Sequence, residues 1–133
     1  MSGPCIFCEI AAGRAPARVV YEDGEHLAFF PLEHVQMGHV VLIPRRHTDY
    51  LFDLDDASYH DLWEAVARLA PGLRAATGAK RIGVAVEGFS VPHVHVHLVP
   101  INAFDDLNTA RARRLDAAEA DRLQQRIAQA IAR

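Results

Sequence analysis

The sequence predicts an α+β fold: a mostly antiparallel five-stranded sheet with one main helix and a C-terminal helix. Two observations carry this. The β-rich runs are grouped on either side of a long helical stripe, instead of alternating singly with helices as in a doubly wound sheet. The runs themselves are β-branched and punctuated by Gly and Pro, whereas the stripe between them has helical spacing.

Residues 18–21 form the first β-rich run, and Glu22-Asp23-Gly24-Glu25 is a turn in which Gly24 is free to take positive φ. Residues 26–30 form a second run, ended by Pro31, which cannot donate to a ladder. Gly38-His-Val-Val-Leu-Ile-Pro44 is a third strand bounded by its own punctuation. A helix begins near Asp56, with Leu62, Val66, Leu69 and Leu73 on one face. Pro71 is expected to kink it near its end, and Gly78 to stop it. Residues 81–86 and 92–100 read as two more strands. Asp116 is a candidate N-cap for the last helix, with Glu119 three residues on and Leu123, Ile127 and Ile131 as its buried stripe.

Composition narrows the function. The chain has 133 residues, half of them hydrophobic, and is read as one domain spanning residues 1–133. Lys+Arg 14 against Asp+Glu 17 argues against a nucleic-acid binder, which carries a basic excess. No apolar run approaches the ~20 residues of a membrane span, and residues 1–5 have no signal-peptide layout. A soluble, cytoplasmic protein is expected. Cys5 and Cys8 are too close to staple a secreted scaffold. Their spacing suits a metal, although two thiols are only half a site. A redox pair is the rival, but the βαβ context of a thioredoxin-like motif is absent.

The chemistry concentrates in Pro92-His93-Val94-His95-Val96-His97-Leu98-Val99-Pro100. Side chains alternate along a strand, so His93, His95 and His97 share one face and Val94, Val96 and Leu98 the other. Imidazoles at i and i+2 stand roughly 7 Å apart. A neutral imidazole is a competent nucleophile near neutral pH, and its neighbours can hold its tautomer, donate to an anion or bind metal.

This pattern is the signature of the histidine triad (HIT) superfamily of nucleotide hydrolases and transferases. The resemblance covers most of the chain: Cys5-Ile6-Phe7-Cys8-Glu9-Ile10, Val20-Tyr21-Glu22-Asp23, Gly38-His39-Val40-Val41-Leu42-Ile43-Pro44 and the triad itself. It is similar to the bacterial and nucleoside-phosphoramidase-like branch. The resemblance implies that His95 attacks the α-phosphate and forms a covalent nucleotidyl-imidazole, that His97 stabilises the phosphate charge, that Ser90 lies near the leaving group and that His39 lies near the phosphate site. It implies a structural zinc on Cys5, Cys8, His47 and His93, a closed Cys₂His₂ set. Ile6, Phe7, Ile10, Phe29, Phe30 and Leu32 match positions of the family's apolar nucleoside slot. The implied substrate is a purine nucleoside phosphoramidate or a similar nucleotide, cleaved at a P–N or P–O bond. A homodimer is also implied, with the helix around Leu62, Trp63 and Val66 as its contact.

The chain departs from the family at the residue that grips the ribose hydroxyls. That position holds Pro31 instead of Asp, with Glu33 as the nearby acceptor. No Asn lies between Arg81 and His97, and Gly88-Phe89 replaces the usual Gly-Gln. The departures keep a second reading in play, a zinc-stabilised dimer that binds a nucleotide or phosphate with little turnover.

Overall fold

The computed structural model describes residues 5–132, so the reading of residues 1–5 given above falls, but for Cys5, outside the described residues. A short helix α1 (Ile6–Ala11) precedes strands β1 (Val19–Glu22), β2 (His26–Phe29) and β3 (Val40–Pro44). Helix α2 (Asp56–Thr77), strands β4 (Arg81–Ala85) and β5 (Val96–Ile101), and helix α3 (Ala117–Ala132) complete the order. The five strands form one sheet in the order β1-β2-β3-β5-β4. Every neighbouring pair is antiparallel, so the α+β expectation is met.

The sheet separates two apolar layers. Ala28, Val40, Leu42, Val96 and Leu98 face α2 and α3, where they meet Leu62, Leu69, Leu73, Leu123 and Ile127. On the reverse, Leu27, Phe29, Val41 and Ile43 form a smaller cluster under Phe7, Ile10 and Ala11 of α1. β2 and β3 are therefore buried along their whole length, which explains their nearly continuous apolar sequence. Leu62 and Val66 belong to the helix-side core, so they cannot form the dimer contact expected of them. Trp63, between them, is only partly buried.

Most ends follow local chemistry. The Asp55 carboxylate accepts from the Ser58 N–H at the start of α2, and Gly78 stops that helix at φ 70°. Asp116 caps α3 by accepting from the Glu119 N–H at 2.8 Å, as expected.

Three details differ from the sequence reading. α1 was not anticipated, because six residues are too few to display a period. Gly24 does not take the left-handed region; Asp23 Oδ1 closes the turn by accepting from the Glu25 and His26 N–H groups, both at 2.8 Å. The paired part of β5 begins at Val96 instead of Pro92. Its partner β3 ends in Pro44, which has no N–H, and the Val94 N–H turns away to the Thr48 carbonyl at 2.7 Å.

α2 and α3 cross at Gly72, where an added Cβ would lie 2.8 Å from Ile131 Cα and 2.9 Å from the Ala130 carbonyl. Backbone cannot yield as a side-chain tip can. Helix propensity alone would favour Gly72→Ala by about 1 kcal/mol. Overpacking costs about 1–3 kcal/mol and should win, so the variant is expected to unfold at lower urea than wild type.

Candidate active site and metal centre

The triad lies where β5 leaves its ladder, and its members line the α1 side of the sheet. Val94, Val96 and Leu98 enter the opposite, helix-side core. His93 and His95 are buried, at 0% and 1% exposure, whereas His97 is half-buried. The Phe7 ring stands edge-on to His95 with centroids 5.0 Å apart, and His95 stands edge-on to His97 at 4.9 Å.

Hydrogen-bond partners define the tautomers. A carbonyl can only accept, so the 2.7 Å contact of His95 Nδ1 with the His93 carbonyl places the proton on Nδ1. The lone pair of His95 is thereby on Nε2. His93 bonds through Nε2 to the Pro44 carbonyl at 2.8 Å, which leaves its Nδ1 unprotonated. At His39 the logic runs the other way, since the Val35 N–H donates to Nδ1 at 3.1 Å. His39 therefore donates from Nε2 to His97 Nδ1 at 2.9 Å, and His97 carries its own proton on Nε2.

Burial disfavours protonation of His39, His97 and the adjacent His34. His39 is pushed down to about 3 by burial, with the His97, His34 and His95 rings adding to the effect. Burial also lowers His97, reinforced by His95 and opposed by Glu87. His34, whose Nδ1 accepts from the Gly38 N–H at 3.3 Å, is pushed down to about 4 by burial and by the Arg113 guanidinium.

A second constellation meets the triad at His93. One donor atom from each of Cys5, Cys8, His47 and His93 lies within 4.8 Å of the others. His93 Nδ1 is 3.4 Å from Cys5 Sγ and 3.5 Å from Cys8 Sγ, while His47 Nδ1 is 3.2 Å from Cys8 Sγ. Two sulfurs and two imidazole nitrogens are a donor set that suits a tetrahedral metal such as zinc. The unprotonated Nδ1 of His93 fits that role, with the Pro44 carbonyl orienting the ring from behind. Cys5 also caps α1, its sulfur accepting from the Cys8 N–H at 3.4 Å.

The remaining residues singled out from sequence divide between locations. Phe7, Ile10 and Phe29 lie together on the triad side, with Phe7 and Phe29 edge-on at 5.4 Å. Ile6 is half exposed at 50% and Leu32 largely exposed at 79%. Phe30 is not with them. It points to the opposite face from Phe29, packs in the helix-side core and stands edge-on to His34 at 4.8 Å. Ser90 is exposed on the loop before the triad and donates to Glu87 Oε1 at 3.1 Å.

Sequence reasoning missed Glu87. Its Oε1 lies 3.8 Å from His95 Nε2, and its Oε2 accepts from the Phe89 N–H at 2.7 Å. Burial opposes its ionisation, but bonds from the Phe89 and Ser90 backbone, the Ser90 hydroxyl and nearby His95 hold the carboxyl below its ordinary range. No spacing rule marks this position, because the contact is made by the loop folding back.

The buried histidines make stability pH-dependent. Their folded values lie below the ordinary 6.5, so the unfolded chain binds protons that the folded chain refuses. Their contribution is complete above that value and is lost as pH falls toward 4. Each should add a slope of about 1.4 kcal/mol per pH unit. Urea titrations between pH 6.5 and 4.5 are expected to show this fall, and His34→Gln should flatten it by about that amount.

The chain is similar in sequence and in fold to known proteins. The chain is 35% identical over 113 residues to an uncharacterized HIT-like protein of Mycobacterium tuberculosis, covering 81% of this chain and 78% of that one. It is 32% identical over 98 residues to an adenosine 5'-monophosphoramidase of Schizosaccharomyces pombe, covering 72% and 73%. Among solved structures, a zinc-bound histidine triad family protein from Mycobacterium smegmatis superposes with a TM-score of 0.82 at 28% identity, covering 96% and 93%. The HIT domain family matches residues 12–103, and the chain belongs to that family.

Proposed function

We propose that the protein hydrolyses a nucleoside 5'-phosphoramidate, or a closely related nucleotide, at its α-phosphate through His95. The observation that carries this is the tautomer of His95. Its Nδ1–H is committed to the His93 carbonyl, so the lone pair stands on Nε2, on the side of the ring that faces Glu87. A pure binding site has no need of an imidazole held this way. Similarity to a protein named adenosine 5'-monophosphoramidase supports the substrate class.

In the first step His95 Nε2 attacks phosphorus and a P–N bond to the enzyme forms. The bond to the leaving amine breaks, and the amine nitrogen takes the bonding pair together with a solvent proton relayed by the Ser90 hydroxyl. Water then adds to phosphorus and gives up a proton to solvent, balancing the one taken in the first step, while the Nε2–P bond returns its pair to His95. One water is consumed, and a nucleoside monophosphate and an amine are released. Two displacements of moderate difficulty replace one that is harder. His97 donates its Nε2–H to a phosphoryl oxygen as charge develops there, and His39 acts through His97 by fixing that proton's position.

Cys5, Cys8, His47 and His93 would hold a zinc ion, which supplies a cross-link between α1, the residues after β3 and the triad. Phe7, Ile10 and Phe29 offer the base an apolar wall beside the triad. Glu33 takes over the ribose contact that Pro31 cannot make. The protein acts in the cytoplasm as a homodimer, joined at the free edge of β4 and the neighbouring Trp63. The surface is supported by β4, which among the described residues has no strand paired on its outer side and carries Val84 39% exposed.

His95→Ala is expected to lower turnover of adenosine 5'-phosphoramidate by about a thousandfold or more while circular dichroism stays native. Undiminished turnover would mean that the nucleophile is another residue. Well-folded wild type without turnover on a panel of phosphoramidates and dinucleotides would favour the binding reading. Elemental analysis should find about one zinc per chain, with Cys8→Ser losing it and melting several degrees lower. Sedimentation should give twice the mass of one chain, and Glu33→Gln should weaken ribonucleotides more than their 2'-deoxy analogues.

A further inference from the structure

We propose that Glu87 sets the leaving-group specificity of the site, favouring a neutral or cationic amine over a phosphate. This rests on His95 being the nucleophile and goes beyond it, because it concerns the group expelled.

The geometry gives Glu87 little freedom to do otherwise. Its Oε1 is 3.8 Å from the one His95 nitrogen that has a free lone pair. A ring nitrogen of His97 joins them, all three ligand atoms lying within 4.8 Å of one another. Any phosphoryl group that reaches His95 therefore arrives beside this carboxylate. Two donors from its own loop, the Phe89 N–H at 2.7 Å and the Ser90 hydroxyl at 3.1 Å, hold it in place. The side chain is nevertheless 43% exposed, so it faces what enters from solvent. Among the described residues no lysine or arginine lies within ion-pairing distance of it, and the nearest ring, His95, turns an unprotonated nitrogen toward it.

A fixed anion at this spot discriminates by charge. The α-phosphate of a phosphoramidate brings one anionic group, and its amine carries none or a positive charge. An anhydride brings a second anionic phosphate, which must also be expelled past the carboxylate. Repulsion between like charges at this separation is substantial away from bulk water, and attraction to a cationic amine acts in the opposite sense.

The test compares wild type with Glu87→Gln, which keeps the shape and removes the charge. Two adenosine substrates are used, a 5'-phosphoramidate whose amine bears a second, free ammonium group, and ADP. The ratio of their kcat/KM values is expected to shift about tenfold or more toward ADP in the variant. Rising salt should lower the ratio in wild type and leave the variant unmoved. An unchanged ratio, or equal salt dependence, would overturn the proposal. Calorimetric affinities for AMP and ADP give a readout that needs no turnover. Glu87→Gln should tighten ADP several-fold more than AMP, and equal changes would overturn it. Absence of turnover in wild type would count against the His95 reading, while the affinities still decide the role of Glu87.

Discussion

Two backbone carbonyls, those of Pro44 and His93, set the state of the histidines on which everything else in the site depends. An imidazole has two nitrogens and one proton, and solvent would leave either tautomer accessible. A carbonyl oxygen removes that choice, because it can only accept. Pro44 takes the His93 proton and turns its bare nitrogen toward the cysteines, while His93 takes the His95 proton and leaves its bare nitrogen toward Glu87. Both carbonyls are available for a related reason. Proline ends the β3 ladder, so the chain from 93 to 95 runs beside β3 without being absorbed into it. A fully paired strand would have spent the His93 carbonyl on a neighbour.

The sheet makes this economical by separating its tasks. The layer under α2 and α3 buries leucine, valine and isoleucine and supplies most of the apolar burial. The other layer is smaller and mixes Phe7, Phe29, Val41 and Ile43 with the histidines. Alternation along a single extended run serves both sides, with Val94, Val96 and Leu98 anchoring the strand and the histidines fixed relative to it. His39 joins the layers, held by the Val35 N–H at one end and reaching His97 at the other. Gly38 permits this placement: it takes φ 95°, and a Cβ there would lie 2.8 Å from Thr77 of α2.

Features that depend on local spacing were legible in the sequence. The grouping of strands, the α2 stripe, the Asp116 cap and the triad follow from periods of two and of 3.6 and from capping chemistry. Features that depend on distant chain segments were not. Nothing in Phe29-Phe30 says which ring faces the histidines, because that depends on the register of β2 against β3. Leu62 and Val66 read equally well as surface or core until the sheet beneath them is known. Glu87 belongs to no motif and reaches His95 through the shape of a loop. α1 left no trace because one and a half turns cannot establish a period.

That short helix has a consequence for how the chain can be divided. Six residues are too few for a helix to persist in water, so α1 depends on what holds its ends. Cys5 caps it, Cys8 closes its first turn toward His47, and Phe7 between them rests against His95. A fragment starting at Ala12 would retain all five strands and both long helices. It would keep the larger, helix-side core with the helices that pack on it. Yet it would have lost two of the four clustered donors and the ring that walls one side of the nucleophile. The boundary of the folded unit and the boundary of the working unit are therefore different, and truncation would separate them.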